Sequence, residues 1–336
     1  MSSQGPLIDN PTAVSRADVD AILARGQLPT IQFSQPAREG LLRSVNDLAA
    51  DYGERLHIRF YGHYSDVFDA AVLALLPDVQ WLSVDKLSHI RNERCLAELA
   101  KLKKLSFGVH RFSDSGFLDI LPLEGLTELA IWESERNSLD LAPLARARLL
   151  ERLTVSSHRK GLAVIASLPA LRDLELWRMP RSQDLAFAGE APSLRTLKLL
   201  LGGRASFDEL KQPTLEALTI AYVSGLSSFG AMERFPRLRV LDVQHQGQLR
   251  TIDLDGVSLE KLVVMDCKNL ETISGLATQD RLREFRIART KVPLDPLLQQ
   301  SWPPSLSVLG LYNRSRTWNE QARAALDARG YREYAP

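Results

Sequence analysis

Cysteine is almost absent from this chain: Cys95 and Cys267, far apart in the sequence, are the only two among 336 residues. A secreted scaffold held together by disulfides is therefore not expected, and a reducing compartment fits better. The first residues lack the basic and apolar regions of a signal peptide, and no apolar run is long enough to span a bilayer. We therefore expect a cytoplasmic protein without a membrane partner.

An excess of basic charge is also missing. Lys and Arg together number 42, against 41 for Asp and Glu, so the formal net charge is +1. A protein that holds a phosphate backbone normally carries a clear basic excess, so we expect no nucleic-acid partner. The apolar fraction of 45% and the charged fraction of 25% are typical of a globular protein and exclude a disordered chain.

Signatures of catalysis are equally scarce. The sequence contains no phosphate-binding loop, zinc-protease motif or serine-hydrolase motif. None of its six histidines forms a pair with the spacing of metal ligands. Cys95 lies on the apolar face of a predicted helix and Cys267 in a predicted turn, so both are interpreted as buried and structural. We therefore expect no enzymatic activity, no metal and no cofactor.

A short leucine pattern is abundant instead. The spacing Leu-x-x-Leu-x-Leu, with some apolar replacements, recurs in thirteen copies that begin about 23 residues apart. If the first leucine is position 1, the residues at positions 4 and 6 share one face of a short strand and are predicted to be buried. The copies begin at Leu28, Gly53, Val79, Leu102, Leu126, Leu150, Leu171, Leu194, Leu215, Leu238, Leu259, Leu282 and Leu306.

This pattern resembles that of the leucine-rich repeat family, in its irregular bacterial form, over residues 28–314. The resemblance implies an α/β solenoid with a curved parallel sheet, one strand per repeat. The family places Asn or Cys at position 9, where only Cys267 and Thr290 fit, so we expect irregular turns. The residues at position 9 are His110, Ser134, His158, Met179, Gly202, Val223, Gln246, Cys267, Thr290 and Arg314.

The segments that return from one strand to the next change along the chain. Early returns have apolar residues at helical spacing, which predicts α-helices near the N-terminus. Later returns are short and interrupted by Gly or Pro, which predicts extended or 3₁₀ segments. The predicted helical returns are 36–52, 65–76 and 87–100, and the predicted extended returns include 181–192, 202–213 and 253–258.

Both ends of a repeat array need caps, because the terminal repeats would otherwise expose apolar surface. Ser15, three residues before Asp18, predicts the start of one capping helix, and Thr317, three residues before Glu320, predicts the start of another. The apolar face expected on the second helix consists of Trp318, Ala322, Ala325 and Leu326. The predicted boundaries are 1–27 for the N-terminal cap, 28–314 for the array and 315–336 for the C-terminal cap.

Residues at positions 3, 5 and 7 point away from the core and form the concave face of the predicted sheet. Position 3 alternates in charge over Lys104, Glu128, Arg152 and Asp173. Position 5 places Glu175 beside Lys198. Position 7 carries Trp132 and Trp177, two repeats apart, for which the strand spacing predicts a separation of roughly 10 Å.

The resemblance implies protein binding on this face, so we interpret the chain as a non-catalytic recognition module, such as a cytoplasmic inhibitor, an immunity protein or an adaptor. An enzyme with an unrecognised site and a nucleic-acid-binding array stay open as alternatives. The face also has a structural interpretation, in which paired charges keep it soluble and neighbouring turns cover the tryptophans. The residues predicted to bind the partner are Trp81, Glu128, Trp132, Arg152, Asp173, Glu175, Trp177, Arg178, Lys198, Tyr222 and Tyr312.

Overall fold

The computed structural model describes residues 5–63, 66–112, 116–132 and 139–332. The chain divides into two compact units, Met1–Leu171 (unit 1) and Arg172–Pro336 (unit 2). Both units are built from parallel strands joined by short returns. Among the described residues, no helix has the length and apolar character needed to cross a membrane.

The described part of unit 1 contains nine strands. Seven of them pair in parallel, each with the next along the chain, while β4 and β6 pair with each other in the returns. The strands are β1 (Leu7–Asp9), β2 (Thr30–Phe33), β3 (His57–Tyr61), β4 (Val67–Asp69), β5 (Trp81–Leu87), β6 (His89–Arg91), β7 (Lys104–Val109), β8 (Glu128–Ile131) and β9 (Arg152–Ser156).

The described part of unit 2 repeats this arrangement. Seven strands pair in parallel in chain order, and β14 pairs with β16 in the returns. The strands are β10 (Asp173–Trp177), β11 (Thr196–Leu200), β12 (Ala217–Ala221), β13 (Val240–Gln244), β14 (Thr251–Asp253), β15 (Lys261–Met265), β16 (Thr272–Ser274), β17 (Glu284–Ala288) and β18 (Val308–Tyr312).

The core of each unit consists of the residues at positions 4 and 6, as predicted. Leu197, for example, pairs in register with Leu218, which pairs with Leu241, and all three are buried. Burying such a leucine contributes about 1.5–3 kcal/mol to stability. Because every repeat adds two of these side chains to the same two rows, neighbouring repeats complete each other's core.

The start of the second copy of the pattern needs correction. In the first copy, Ile31 and Phe33 are buried as predicted, while Leu28 at position 1 is 45% exposed. The second copy starts at Arg55 rather than Gly53, because Ile58 and Phe60 pair in register with Ile31 and Phe33. Position 1 of this copy is therefore a charged residue, which is why the leucine spacing misplaced its start by two residues.

The described helices are short except near the two termini. The 3₁₀ segments are Gly53–Arg55, Ala70–Leu75, Glu93–Glu98, Leu123–Gly125, Ala142–Arg146, Leu162–Ser167, Met232–Arg234 and Leu276–Thr278. The α-helices are α1 (Arg16–Leu23), α2 (Glu39–Tyr52), α3 (Phe117–Ile120), α4 (Ala186–Glu190), α5 (Leu294–Gln299) and α6 (Arg316–Ala328).

Helix α2 confirms the first helical return, but the other two helical returns were wrong. Each consists of a short strand, β4 or β6, followed by a six-residue 3₁₀ segment. The available chain length explains the difference, since 27 residues separate the paired Ile31 and Ile58 but only 24 separate Ile58 and Leu82. Among the later returns, 181–192 contains the short helix α4 instead of being wholly extended.

The N-terminal cap has the predicted helix and one strand that was not predicted. Ser15 caps α1, and its hydroxyl and backbone N–H both bond to the side chain of Asp18. Val19 is the buried residue of this helix. The preceding strand β1 pairs with β2; its three residues are too few to show an alternating pattern.

The C-terminal capping helix starts two residues earlier than predicted, at the predicted boundary of the cap. Ser315, not Thr317, is the N-cap of α6, and its hydroxyl accepts a hydrogen bond from the backbone N–H of Trp318. Glu320 bonds to the side chain of Arg316 instead of closing a capping box. The spacing from Thr317 to Glu320 indicated a capping box, but Ser315, two residues earlier, caps the helix without a matching residue at N3.

Helix α6 packs against β18 and α5. Ala322 and Leu326 are buried, and the indole N–H of Trp318 donates to Asp295 Oδ1 at 2.8 Å. Ala325, which was predicted to face the last repeat, is exposed. The apolar contact is therefore narrower than the sequence indicated.

We expect Leu326→Ala to lower the free energy of unfolding by about 2–5 kcal/mol, because it leaves a cavity between α6 and the last repeat. Chemical denaturation measures this change. Gln321→Ala, on the exposed side of the same helix, is the matched control and should change stability by no more than about 0.5 kcal/mol. Equal stability of the two variants would show that α6 does not cover the repeat.

Candidate functional site

The side of each sheet opposite the core, called here the strand face, carries the residues at positions 3, 5 and 7. Because adjacent strands pair in register, residues with the same position number form rows across each unit. Neighbours in a row lie about 4.8 Å apart. The strand face of each unit is therefore a regular grid of side chains.

In unit 1, an aromatic cluster lies in the position-3 row. The ring of His57 stacks on that of Trp81 with centroids 4.4 Å apart. On the other side, Lys104 Nζ lies 5.0 Å from the centroid of the Trp81 ring, within range of a cation–π contact. Trp81 is thus half-buried between two side chains of its own row.

The predicted alternation of charge in this row is partly confirmed. Arg152 Nη2 and Glu128 Oε2 lie 2.6 Å apart in an ion pair. Within the described residues, Lys104 pairs with Glu54 at 3.1 Å rather than with Glu128. The sequence pattern could not show this, because Glu54 lies outside the strand.

His57 is held in one orientation by two hydroxyls. Its Nδ1 lies 3.1 Å from Thr30 Oγ1, and its Nε2 lies 2.7 Å from Ser83 Oγ. Burial, with smaller contributions from Arg59 and Lys104, lowers the pKa of His57 to about 3. The imidazole is therefore neutral at physiological pH and serves as a polar link between strands.

A polar network that the sequence did not reveal surrounds Arg59. This guanidinium, only 6% exposed, makes three hydrogen bonds to Asp85, at 3.2, 3.0 and 2.6 Å, and a fourth to Gln32 Oε1 at 3.1 Å. Gln32 and the Tyr61 hydroxyl both donate to Asp9 Oδ1 at 3.0 Å. The misplaced second repeat hid this network, because it assigned Arg59 and Tyr61 to the wrong positions.

Trp132 follows β8 and is half-buried on the strand face of unit 1. Its indole N–H donates to Ser106 Oγ at 3.0 Å. Gly108 makes room for it, since a Cβ on that glycine would lie 3.2 Å from the Trp132 Cβ. The indole is therefore oriented by residues of the preceding strand.

Position 9 is more regular than predicted. Besides Cys267 and Thr290, two further residues there bond to the backbone. His158 accepts a backbone hydrogen bond at Nδ1 and donates one from Nε2, at 3.0 and 2.9 Å. Gln246 donates to a backbone carbonyl at 2.7 Å. Ser134 lies outside the described residues. The expected irregularity was thus partly wrong, because His and Gln can replace the consensus asparagine.

The two cysteines have different surroundings. Cys267 is buried, as predicted, and burial raises the pKa of its thiol to about 11. Cys95 is half-buried in a 3₁₀ segment rather than in a helix, and burial raises its thiol pKa as well. Within the described ranges, no group of three or more His, Cys, Asp or Glu side chains is placed to hold a metal ion.

In unit 2, Glu175 organises the first two strands of the face. Its Oε2 lies 3.2 Å from Lys198 Nζ, which confirms the predicted pair. Its Oε1 accepts a hydrogen bond from the indole N–H of Trp177 at 2.6 Å. The predicted contacts of Asp173 with Arg152 and of Trp177 with Trp132 would join the two units and stay predictions.

A second charged cluster on this face was missed. Lys261 and Arg286 lie 3.1 and 2.9 Å from Glu284 Oε1. Gln244 Nε2 donates to both oxygens of Asp242, at 2.9 and 3.1 Å, and burial raises the pKa of this carboxyl. These residues occupy positions 3, 5 and 7 of later repeats, and the charged pairs at positions 3 and 5 were predicted only as far as Lys198.

Position 7 of unit 2 forms a row without charged side chains. Its members pair in register from β10 to β18. The two alanines are buried, and the five larger side chains are half-buried and reach the surface. The row consists of Trp177, Leu200, Ala221, Gln244, Met265, Ala288 and Tyr312.

The residue after each of the first six of these strands has a left-handed backbone. The recurrence in every one of these repeats shows that the turn geometry requires a positive φ, although side chains other than Gly, Asn and Asp seldom adopt it. We call these residues the position-8 row. They are Arg178 (φ 55°), Leu201 (60°), Tyr222 (57°), His245 (53°), Asp266 (55°) and Arg289 (54°).

Four members of the position-8 row contact each other in sequence. Tyr222 is 53% exposed and stacks on His245 with ring centroids 4.0 Å apart. His245 Nε2 lies 3.6 Å from Asp266 Oδ2, and Arg289 binds both oxygens of the same carboxylate. Tyr222 and Arg178 were predicted from the sequence, but the other members were not, because no Gly or Asn marks the left-handed turns.

Comparison with known proteins supports this architecture. No family model and no curated protein matches the sequence. The internalin InlF of Listeria monocytogenes is similar in structure, with a TM-score of 0.51 and 18% identity over 85% of this chain and 78% of that one. This likeness, together with one strand per repeat, confirms the leucine-rich repeat fold.

Two other structures are more distant. Toll, in the Drosophila Toll–Spätzle complex, has a TM-score of 0.45 and 16% identity over 85% of this chain and 47% of that one. The leucine-rich repeat domain of the type III effector XopL has a TM-score of 0.36 and 17% identity over 80% of each chain.

The burial of His57 gives a prediction about pH. Unfolded histidine takes up a proton below about pH 6.5, whereas folded His57 does so only near pH 3. Stability is therefore lost as the pH falls between these values. From pH 6 to 5, we expect the wild type to lose about 1 kcal/mol more than His57→Gln, as measured by urea unfolding. Equal losses would contradict a neutral His57.

Proposed function

We propose that this chain is a protein-recognition module that binds a protein partner on its strand face. The uncharged row at position 7 of unit 2 carries the proposal. Its large side chains contribute to the surface rather than the core, and charged clusters flank them. An aromatic and apolar centre with a polar surround is typical of interface hot spots.

Two large side chains, one on this face and one in the adjoining position-8 row, are held by contacts within the chain. Glu175 holds the indole of Trp177, and His245 supports the ring of Tyr222. A partner would therefore lose little affinity to the ordering of these side chains, which normally opposes association. The paired charges also hold their side chains in place, so a role in solubility is compatible with a role in binding.

We further propose that the module works in a reducing, cytoplasmic compartment as an inhibitor, an immunity protein or an adaptor. The two free cysteines, one of them fully buried, support a compartment without disulfide formation. Extended faces of repeat arrays commonly serve as binding surfaces, which supports a binding role over a catalytic one. Salt dependence tests the nucleic-acid alternative, because phosphate contacts weaken steeply as salt rises.

We expect Trp177→Ala to weaken binding of the partner about thirtyfold, equivalent to about 2 kcal/mol. The same loss is expected for Trp132→Ala. The partner would be identified by cross-linking in extracts of the native host and purified, and its Kd measured for each variant by calorimetry. Folding should change little, because both indoles lie on the strand face.

Arg237→Ala is the control, since this exposed residue lies in a return of unit 2. It should bind like the wild type. An equal loss in all three variants, or unfolding of the tryptophan variants without a change in Kd, would place the binding surface elsewhere.

A further inference from the structure

The position-8 row of unit 2 leads into an open pocket. Arg289, the last member of the row, is also one of the residues that line it. The pocket has a volume of about 470 Å³, and four of its seven lining residues are basic. The lining residues are Lys268, Arg289, Thr290, Lys291, Asn313, Arg314 and Ser315.

The pocket carries more positive charge than its surroundings neutralise. Asp266 binds Arg289. Glu271 lies 3.8 Å from Lys291, although it also pairs with Arg250 at 3.3 Å. Lys268 and Arg314 are exposed and form no ion pair among the described residues, although Asp266 acts on Lys268 at longer range. Four cations therefore face two carboxylates, in a chain whose formal net charge is only +1.

We propose that this basic pocket takes an acidic segment of the protein partner, with two or more Asp or Glu side chains. This inference rests on the proposed function and adds the chemistry of the partner. Charge complementarity selects acidic side chains. The volume is larger than one carboxylate group needs, so the pocket suits a short stretch of chain.

The distance between Tyr222 and Arg289 sets the spacing expected between the apolar and acidic residues of the partner. Three strand intervals of about 4.8 Å separate the repeats of Tyr222 and Arg289, which makes about 14 Å along the row. An extended chain covers this distance in about four residues. An apolar residue of the partner on Tyr222 would therefore precede or follow its acidic residues by about four positions.

The lining residues favour an acidic peptide over a nucleic acid. Sites for single-stranded nucleic acid usually combine a basic groove with aromatic side chains on which bases stack. The pocket is lined by Lys, Arg, Thr, Asn and Ser, and the described residues that form it include no aromatic ring. Carboxylates need only the cations and polar groups that are present.

The test uses the full chain and a fluorescein-labelled hexaglutamate peptide, with affinity measured by fluorescence anisotropy. The pocket variant is Lys268→Glu with Arg314→Glu. The matched control is Lys211→Glu with Arg237→Glu, which changes the net charge equally at exposed residues of unit 2 outside the pocket. We expect the pocket variant to bind the peptide at least tenfold more weakly, and the control to bind it like the wild type.

Equal losses in the two charge-reversed variants would overturn the proposal, because net charge alone would then explain peptide binding. The proposal would also be overturned if a hexathymidylate bound more tightly than the hexaglutamate peptide and the pocket variant lost this binding. The pocket would then favour a phosphate backbone. Circular dichroism confirms that each variant is folded.

The proposed function can fail separately. Suppose that the pocket variant keeps its affinity for the peptide while Trp177→Ala still weakens binding of the purified partner. The proposed pocket is then wrong, and the proposed recognition module is supported. If the pocket variant loses the peptide but Trp177→Ala leaves partner binding unchanged, the pocket is supported and the proposed strand-face site is wrong.

Discussion

A single repeat of this chain cannot bury its two apolar strand positions unless the next repeat covers them. This constraint sets the register of every strand pair, because a shift by one residue would turn both apolar side chains to the opposite face. The parallel pairing of Leu197 with Leu218, and of Leu218 with Leu241, follows from it. The rows on the strand face are its consequence, since a core in register also brings the outward positions into register.

The same constraint explains which parts of the fold could be predicted. Positions 4 and 6 are apolar in every copy, so the strands were visible in the sequence. The returns were less visible, because apolar spacing alone does not tell a helix from a strand followed by a 3₁₀ segment. The length of the return separated these cases, because helix α2 lies in the longer return between Ile31 and Ile58. Where a repeat departs from the pattern, as at Arg55, its start was misplaced. Strand β1 was missed because three residues are too few to show an alternating pattern.

The candidate site was predictable where it depends on strand neighbours. Glu175 with Lys198, and Glu128 with Arg152, follow directly from register. Lys104 was different, because its partner Glu54 lies outside the strand. The position-8 row depends on a left-handed turn that Tyr222 and His245 adopt without any sequence signal. Rows can thus be predicted from spacing, but turn conformation and contacts from outside the strands require the three-dimensional structure.

Ion pairs between neighbouring repeats also explain why Arg314 keeps its positive charge in the basic pocket. A charged side chain in the middle of unit 2 can find its counterpart in either neighbouring repeat, as Asp266 finds Arg289. Arg314, just after the last strand, has no following repeat to supply a carboxylate, and α6 presents Arg316 already paired with Glu320. The end of the array therefore accounts for the unneutralised charge of Arg314, whereas Lys268, in the turn after β15, lacks an ion pair although later repeats follow it.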